Sequence, residues 1–262
     1  MSTSASLYVH GDSLLHRLAP RAKLALAVGL FAVALVFEHP AFVAGPLLAA
    51  FAVVVAVGGW RNLRRLRFII LAVFLVGLVV WPAFTPAGGP VVLTTPVVAV
   101  TGREAVVALG RSTRFAAFIV VGVTFVTVTA NEELVTGLRS LGVPYPICFA
   151  FGTALRLFPT LLSATGTVRQ AQAARGHDLD SGGPVERLRN FVPLLIPVFV
   201  TAIRDVQTRA MALEARGFDA QADRTFHNRR PYRTSDWVAT IAGLGLVVAS
   251  LVARYVFGLG VV

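Results

Sequence analysis

The sequence predicts an all-α integral membrane protein of about five transmembrane helices, with a cytoplasmic domain of long amphipathic helices between the fourth and the fifth. Three observations predict it: an apolar composition, five separate apolar blocks, and basic residues that gather in alternate connections. The chain of 262 residues is 56% hydrophobic and only 14% charged, with a mean hydropathy of +0.73. A soluble domain usually carries about a quarter charged residues. Apolar residues gathered in blocks of this length read as membrane spans rather than one large soluble core.

The blocks cover residues 22–37, 41–57, 68–84, 115–130 and 237–257. The first and fourth are short for an untilted span of about 20 residues. The fourth can extend backwards, because 104–110 also reads as helix. Pro46 interrupts the second, which a helix packed among neighbours tolerates. Residues 1–20 contain Asp12, His10, His16 and Arg17 and no small-residue cleavage site after an apolar run, so the first block reads as a retained span. Trp81 and Trp237 fall at span ends, as interfacial aromatics do.

Orientation follows from the basic residues. Arg17, Arg21 and Lys23 precede the first block, and Arg61, Arg64, Arg65 and Arg67 lie between the second and third. The segment 131–235 holds thirteen arginines, whereas 38–40 and 82–101 hold neither Lys nor Arg. Basic connections stay cytoplasmic, which puts the N-terminus inside and the C-terminus outside. Arg103, Arg111 and Arg114, near the outer start of the fourth block, run against the rule and read as interfacial or bundle-facing. The net charge of +11 is thus a matter of membrane orientation, and no nucleic-acid partner is expected.

The segment 131–235 is too long for a simple loop and too charged to read as further spans. Its two apolar pieces, 147–164 and 191–203, are interrupted by Arg156, Pro159, Pro193 and Pro197, prolines that suit helix first turns or kinks. Such pieces read as interfacial or partner-binding helices. The division expected is a membrane domain over 1–130, a cytoplasmic domain over 131–235 and a last transmembrane helix over 236–262.

Within this segment the sequence repeats once. Ala174-Arg175-Gly176 and Ala215-Arg216-Gly217 are each followed, one residue later, by an aspartate. Each closes a helix-like run, taken as 159–175 and 193–216. A Gly after the last turn takes the left-handed cap, and a basic residue there complements the negative helix end. The small Ala lets another surface approach, and the Arg fork suits a bidentate pair with a partner's carboxylate. A lone Ala-Arg-Gly is a common helix end. Two copies closing proline-started helices suit a partner with two equivalent sockets.

The remaining candidates have plainer readings. Cys148 is the only cysteine, so no intrachain disulfide or thiolate cluster is available. His10, His16, His39, His177 and His227 are scattered without an i, i+4 pair, and neither a metal site nor a cofactor is expected. Glu132 and Glu133 read as first-turn acids of a cytoplasmic helix. Arg61, Arg64 and Arg65 read as contacts to anionic lipid headgroups, with a secondary contact to an ATPase as the alternative. Ser112 and Ser163 lack triad partners, and no phosphate-cradling Gly-x-x-x-x-Gly-Lys-Ser/Thr sequence occurs; no catalytic residue is assigned.

Three stretches resemble the transmembrane coupling (T) components of energy-coupling factor transporters, the EcfT/CbiQ family. The first is 8–23, with Ser13, His16, Arg17, Pro20, Arg21 and Lys23 in a Ser-x-x-His-Arg-x-x-Pro-Arg-x-Lys pattern. The second is Leu141-Gly142-Val143-Pro144 with Leu155-Arg156-Leu157-Phe158-Pro159, where the aromatic stands one position later than in the family. The third and most specific is the pair of Ala-Arg-Gly signatures.

The resemblance covers almost the whole chain. It implies a non-catalytic subunit of an ABC-type importer in the plasma membrane. Ala174, Arg175 and Gly176 would engage one ABC-type ATPase and Ala215, Arg216 and Gly217 a second. A separate membrane substrate-binding subunit would capture a vitamin or transition-metal ion. The competing reading is a membrane-embedded lipid or prenyl-group transferase, for which Asp178 and Asp180 would be the metal-binding acids.

Overall fold

The computed structural model describes residues 8, 9, 11, 13–84, 91–94, 99–176, 183–218 and 232–260. Asp178, Asp180, His10, His177 and His227 lie outside the described residues. The chain forms two compact units, Met1–Val143 with Arg230–Val262, and Pro144–Arg229.

The first unit begins with a single turn, α1 (Leu14–Arg17), then α2 (Pro20–Val36), α3 (Pro40–Ala56) and α4 (Trp60–Phe84). Pro20 and Pro40 stand in the first turns of α2 and α3, where a missing N–H costs nothing. A two-stranded antiparallel ribbon follows, β1 (Val91–Thr94) paired with β2 (Ala99–Thr101), in a connection expected to be plain loop. Then come α5 (Gly102–Val128) and α6 (Asn131–Ser140), and, after the second unit, α9 (Thr234–Tyr255).

Helix α5 is the centre of this unit and packs on α2, α3 and α4. It starts well before the apolar block because Thr101 and Glu104 form a capping box. Thr101 Oγ1 accepts from the Glu104 N–H (3.3 Å), and Glu104 Oε2 accepts from the Thr101 N–H (2.7 Å). Arg111 lies over the Trp81 ring, 4.6 Å from its centroid, and Arg114 donates to the Phe37 carbonyl at 2.7 Å. Both are half-buried, so the two exceptional arginines face aromatic and carbonyl partners, while Arg103 is exposed.

Helices α2 and α9 run parallel and are tied at both ends. At their N-terminal ends the buried Asp236 accepts from the Ala19 N–H (2.7 Å) and the Arg233 N–H (2.8 Å). At the far ends Gly260 O accepts from the Glu38 and His39 N–H groups (3.0 and 3.2 Å), and Arg254 pairs with Glu38 at 3.4 Å. Between these ties the backbones touch. A Cβ on Gly243 would lie 2.4 Å from the carbonyl carbon and oxygen of Ala25, and one on Gly29 would lie 2.5 Å from Gly243 O. Small residues at such crossings let apolar helices associate where no water drives them together.

The Ser-x-x-His-Arg-x-x-Pro-Arg-x-Lys pattern turns out to be a set of internal ties. Ser13 Oγ meets His16 Nδ1 at 2.8 Å, and His16 Nε2 reaches Val9 O at 2.8 Å. The carbonyl can only accept, so Nε2 carries the proton and Nδ1 takes the serine hydroxyl. Lys23, 3% exposed, donates to Val128 O (2.8 Å) and pairs with Glu133 (2.5 Å). Glu133 also accepts from the Ala130 N–H at 3.3 Å. Glu132 and Glu133 are first-turn acids of α6, as expected. Replacing Lys23 with Met is expected to lower stability by about 3 kcal/mol, because the carbonyl and the carboxylate lose their cation. Thermal unfolding in detergent checks this, and Glu133→Gln, which keeps an acceptor, should cost less.

The second unit is built on α7 (Tyr145–Ala174) and α8 (Pro184–Ala215). They are 30 and 32 residues long, not the shorter proline-started runs expected. Pro159, Pro193 and Pro197 lie inside the helices, and Pro184 occupies the first turn of α8. Pro197 cannot donate to Pro193 O four residues back, and that carbonyl is met from α7 by Gln172 Nε2 at 3.4 Å. By length and composition four helical stretches suffice to cross a membrane: Gly102–Val128, Tyr145–Ala174, Phe191–Ala215 and Thr234–Tyr255. Two of these fall in the segment whose charge argued against further spans. Together with the shorter apolar helix Pro40–Ala56 they make this an all-α, multi-pass membrane protein.

Candidate functional site

Both Ala-Arg-Gly signatures are helix ends of the same construction. Helix α7 stops at Ala174 and α8 at Ala215. The arginines are the capping residues, with φ, ψ of −86°, 6° at Arg175 and −91°, 6° at Arg216. Gly176 and Gly217 follow with φ of +85° and +70°, the left-handed region in which a side chain is strained.

The backbone bonds correspond as well. Gly176 N–H donates to Ala173 O at 3.0 Å, and Gly217 N–H to Glu214 O at 2.9 Å. At the second tip Phe218 N–H completes a Schellman motif on Leu213 O at 3.0 Å. The residue that would do so at the first tip, His177, is outside the described residues, as are Asp178 and Asp219.

All six signature residues are exposed, and a Cβ on Gly176 would meet nothing within 4 Å. Each tip therefore presents a guanidinium and a bare backbone turn, free for close approach by another surface. A guanidinium offers five N–H donors in a planar fork, matched to a carboxylate.

The two tips stand at opposite ends of an antiparallel pair. Gln172, near the first tip, reaches Pro193 on α8. Phe218, beyond the second, packs on Phe149 and Tyr145 near the start of α7, with ring centroids 4.6 and 5.9 Å apart. At about 1.5 Å per residue along either helix, Arg175 and Arg216 are roughly 35–40 Å apart. The sequence repeat shows neither this separation nor the aromatic clamp, although Tyr145 and Phe149, one turn apart before an Arg-Gly-Phe, were a readable signal. A single small site cannot engage both tips.

The apolar faces of α7 and α8 remain exposed, with Phe158 at 62% and Phe199 at 67%. Ala150 and Ala154 are exposed among them, and Gly152 is half-buried. Arg61, Arg64 and Arg65 lie far along the chain from the tips, on the exposed first turns of α4 in the first unit.

A model of the family described as "Cobalt transport protein" (CbiQ) matches residues 11–227. Among curated proteins, the "Energy-coupling factor transporter transmembrane protein EcfT" of Thermosediminibacter oceani is 30% identical, covering 95% of this chain and 97% of its own. The proteins of the same name from Brevibacillus brevis and Bacillus subtilis are 32% and 31% identical. They cover 92% and 93% of this chain and 94% of their own in both cases. The match thus takes in the membrane helices, the Lys23 and Asp236 ties and both tips, and the chain belongs to the EcfT/CbiQ family of energy-coupling factor transporter transmembrane proteins.

Proposed function

We propose that this transporter component is the coupling subunit of an ABC-type importer in the plasma membrane, with its N-terminus and the 131–235 segment on the cytoplasmic side. Helices α7 and α8, although long enough to cross, lie along the membrane surface, so that both tips stay on that side. Ala174, Arg175 and Gly176 dock in one ABC-type ATPase subunit, and Ala215, Arg216 and Gly217 in a second. ATP hydrolysis belongs to those partners. A separate membrane-embedded subunit binds the vitamin or transition-metal ion, and the exposed apolar faces of α7 and α8 are the platform on which it sits.

The observation that carries this reading is the pair of matched, exposed, arginine-bearing ends held roughly 35–40 Å apart by two continuous helices. A helix transmits displacement from an anchored tip along its length, so two anchored tips convert a change in the spacing of two motor subunits into movement of the platform. Family membership favours this over the lipid or prenyl-group transferase.

The test is crosslinking in the assembled complex, on a Cys148→Ser background that removes the only native thiol. Ala174→Cys and Ala215→Cys are each expected to crosslink to an ATPase subunit, and the doubly substituted chain to carry two. Labelling of either position only by reagents outside the cell would overturn the proposal.

A further inference from the structure

Beside the corner between α3 and α4 the first unit carries a groove of about 850 Å³, lined by residues that include Tyr8, Trp60, Arg61, Arg64, Arg65 and Arg67. None of the described residues lining it is acidic. Arg61, Arg64 and Arg65 follow the i, i+3, i+4 spacing that puts three guanidinium groups on one exposed helix face. Burial and the Glu133 carboxylate push the Tyr8 hydroxyl up, so at neutral pH it remains a donor.

The surface changes character within one turn. The Arg67 guanidinium lies over the Phe68 ring, 4.7 Å from its centroid. From there α4 presents Phe68, Ile69, Leu71 and Leu75, each at least half exposed (67%, 53%, 53% and 50%). Trp60, 49% exposed, opens the helix beside Arg61 with its ring edge-on to Phe51, as an interfacial indole does at a span end. A cationic groove opening directly onto an apolar helix face matches a molecule with an anionic head and hydrocarbon chains. An acidic protein surface would satisfy only the first half.

We propose that this groove is a binding site for the phosphate headgroup of an anionic phospholipid, whose acyl chains lie along α4. The guanidinium forks hold the phosphodiester oxygens. The site rests on the orientation proposed above, which puts the α3–α4 corner at the cytoplasmic leaflet.

The test is native mass spectrometry of the full chain in complex with its ATPases, released from vesicles that mix phosphatidylglycerol and phosphatidylcholine. The wild-type chain should retain phosphatidylglycerol preferentially, and Arg61→Ala/Arg64→Ala/Arg65→Ala should reduce that preference on the order of tenfold to a hundredfold. ATPase co-purification should persist in the triple variant. Equal retention of the two lipids by the wild type, an unchanged preference in the variant, or displacement of the lipid by excess inorganic phosphate would overturn the proposal. Loss of ATPases with the lipid preference intact would do the same, by making the groove a protein contact. An Arg64→Cys thiol that reacts only with reagents outside the cell would overturn the orientation, independently of the lipid readout.

Discussion

Reversing both tip charges, Arg175→Glu with Arg216→Glu, is expected to abolish co-purification of ATPase subunits while the chain still inserts and folds. Both side chains are exposed, and each is a capping residue whose φ, ψ are ordinary for any L-residue, so the change removes an outward-facing cation without disturbing a core. Each arginine paired with a buried carboxylate on the partner is worth about 2–5 kcal/mol, and reversal adds repulsion between like charges. At the separation of the tips, the single substitutions should act independently in their local contacts. Each single variant should keep part of the binding, because the other tip still holds. The measurement is ATPase recovery on the purified chain with the fraction of membrane-inserted protein alongside, and unchanged affinity with normal transport in the double variant would defeat the docking reading.

The second large effect concerns the crossing of α2 and α9. Gly243→Val is expected to leave little folded protein in detergent, a loss of about 3 kcal/mol or more. The reason is the identity of the neighbours. The new Cβ would lie 2.4 Å from the Ala25 carbonyl and 2.7 Å from Leu26 N, backbone atoms of a packed helix that have no rotamer to change. Gly245→Val provides the control, since a Cβ two residues further along the same helix meets nothing within 4 Å. Comparing the two by size-exclusion profile and thermal unfolding separates a wedge between helices from any general cost of Val on α9. Wild-type stability in Gly243→Val would show that the helices cross less closely.

Much of the membrane unit was legible because apolar blocks and proline or polar breaks are strong local signals. The blocks at 22–37 and 41–57 differ from α2 and α3 by one or two residues at each end. The start of α4 was not read, and that of α5 was read only as a possible extension back to 104, two residues short. The arginines at 61–67 belong to the helix itself, and the Thr101–Glu104 cap starts α5 in a polar stretch. Hydrophobicity cannot locate a boundary that a hydrogen bond sets.

The same limit applies to α7 and α8, where Pro159, Pro193 and Pro197 read as breaks. One of the carbonyls they orphan is met by Gln172 of the other helix, a tertiary fact invisible to a window of sequence. The Ala-Arg-Gly tips were legible because a helix end is local, down to the positive φ of each glycine. Their placement at opposite ends of a pair was not, because it depends on the direction of packing. The Lys23–Glu133 and Asp236–Ala19 ties join residues far apart in the chain, and only a hint of them survives as the resemblance of residues 8–23 to the family.

The double fastening of α2 to α9 bears on how the molecule is made. Helix α2 meets α9 only after the intervening residues 37–233 have been synthesised. Helix α2, at 17 residues, keeps its Gly29 seam uncovered until α9 emerges. The last latch is the carbonyl of Gly260, a residue at φ +74° whose Cβ would strike the Phe37 ring at 2.4 Å. The seam therefore closes late, and truncation before Gly260 leaves the Glu38–His39 corner unlatched however well the rest of the chain inserts.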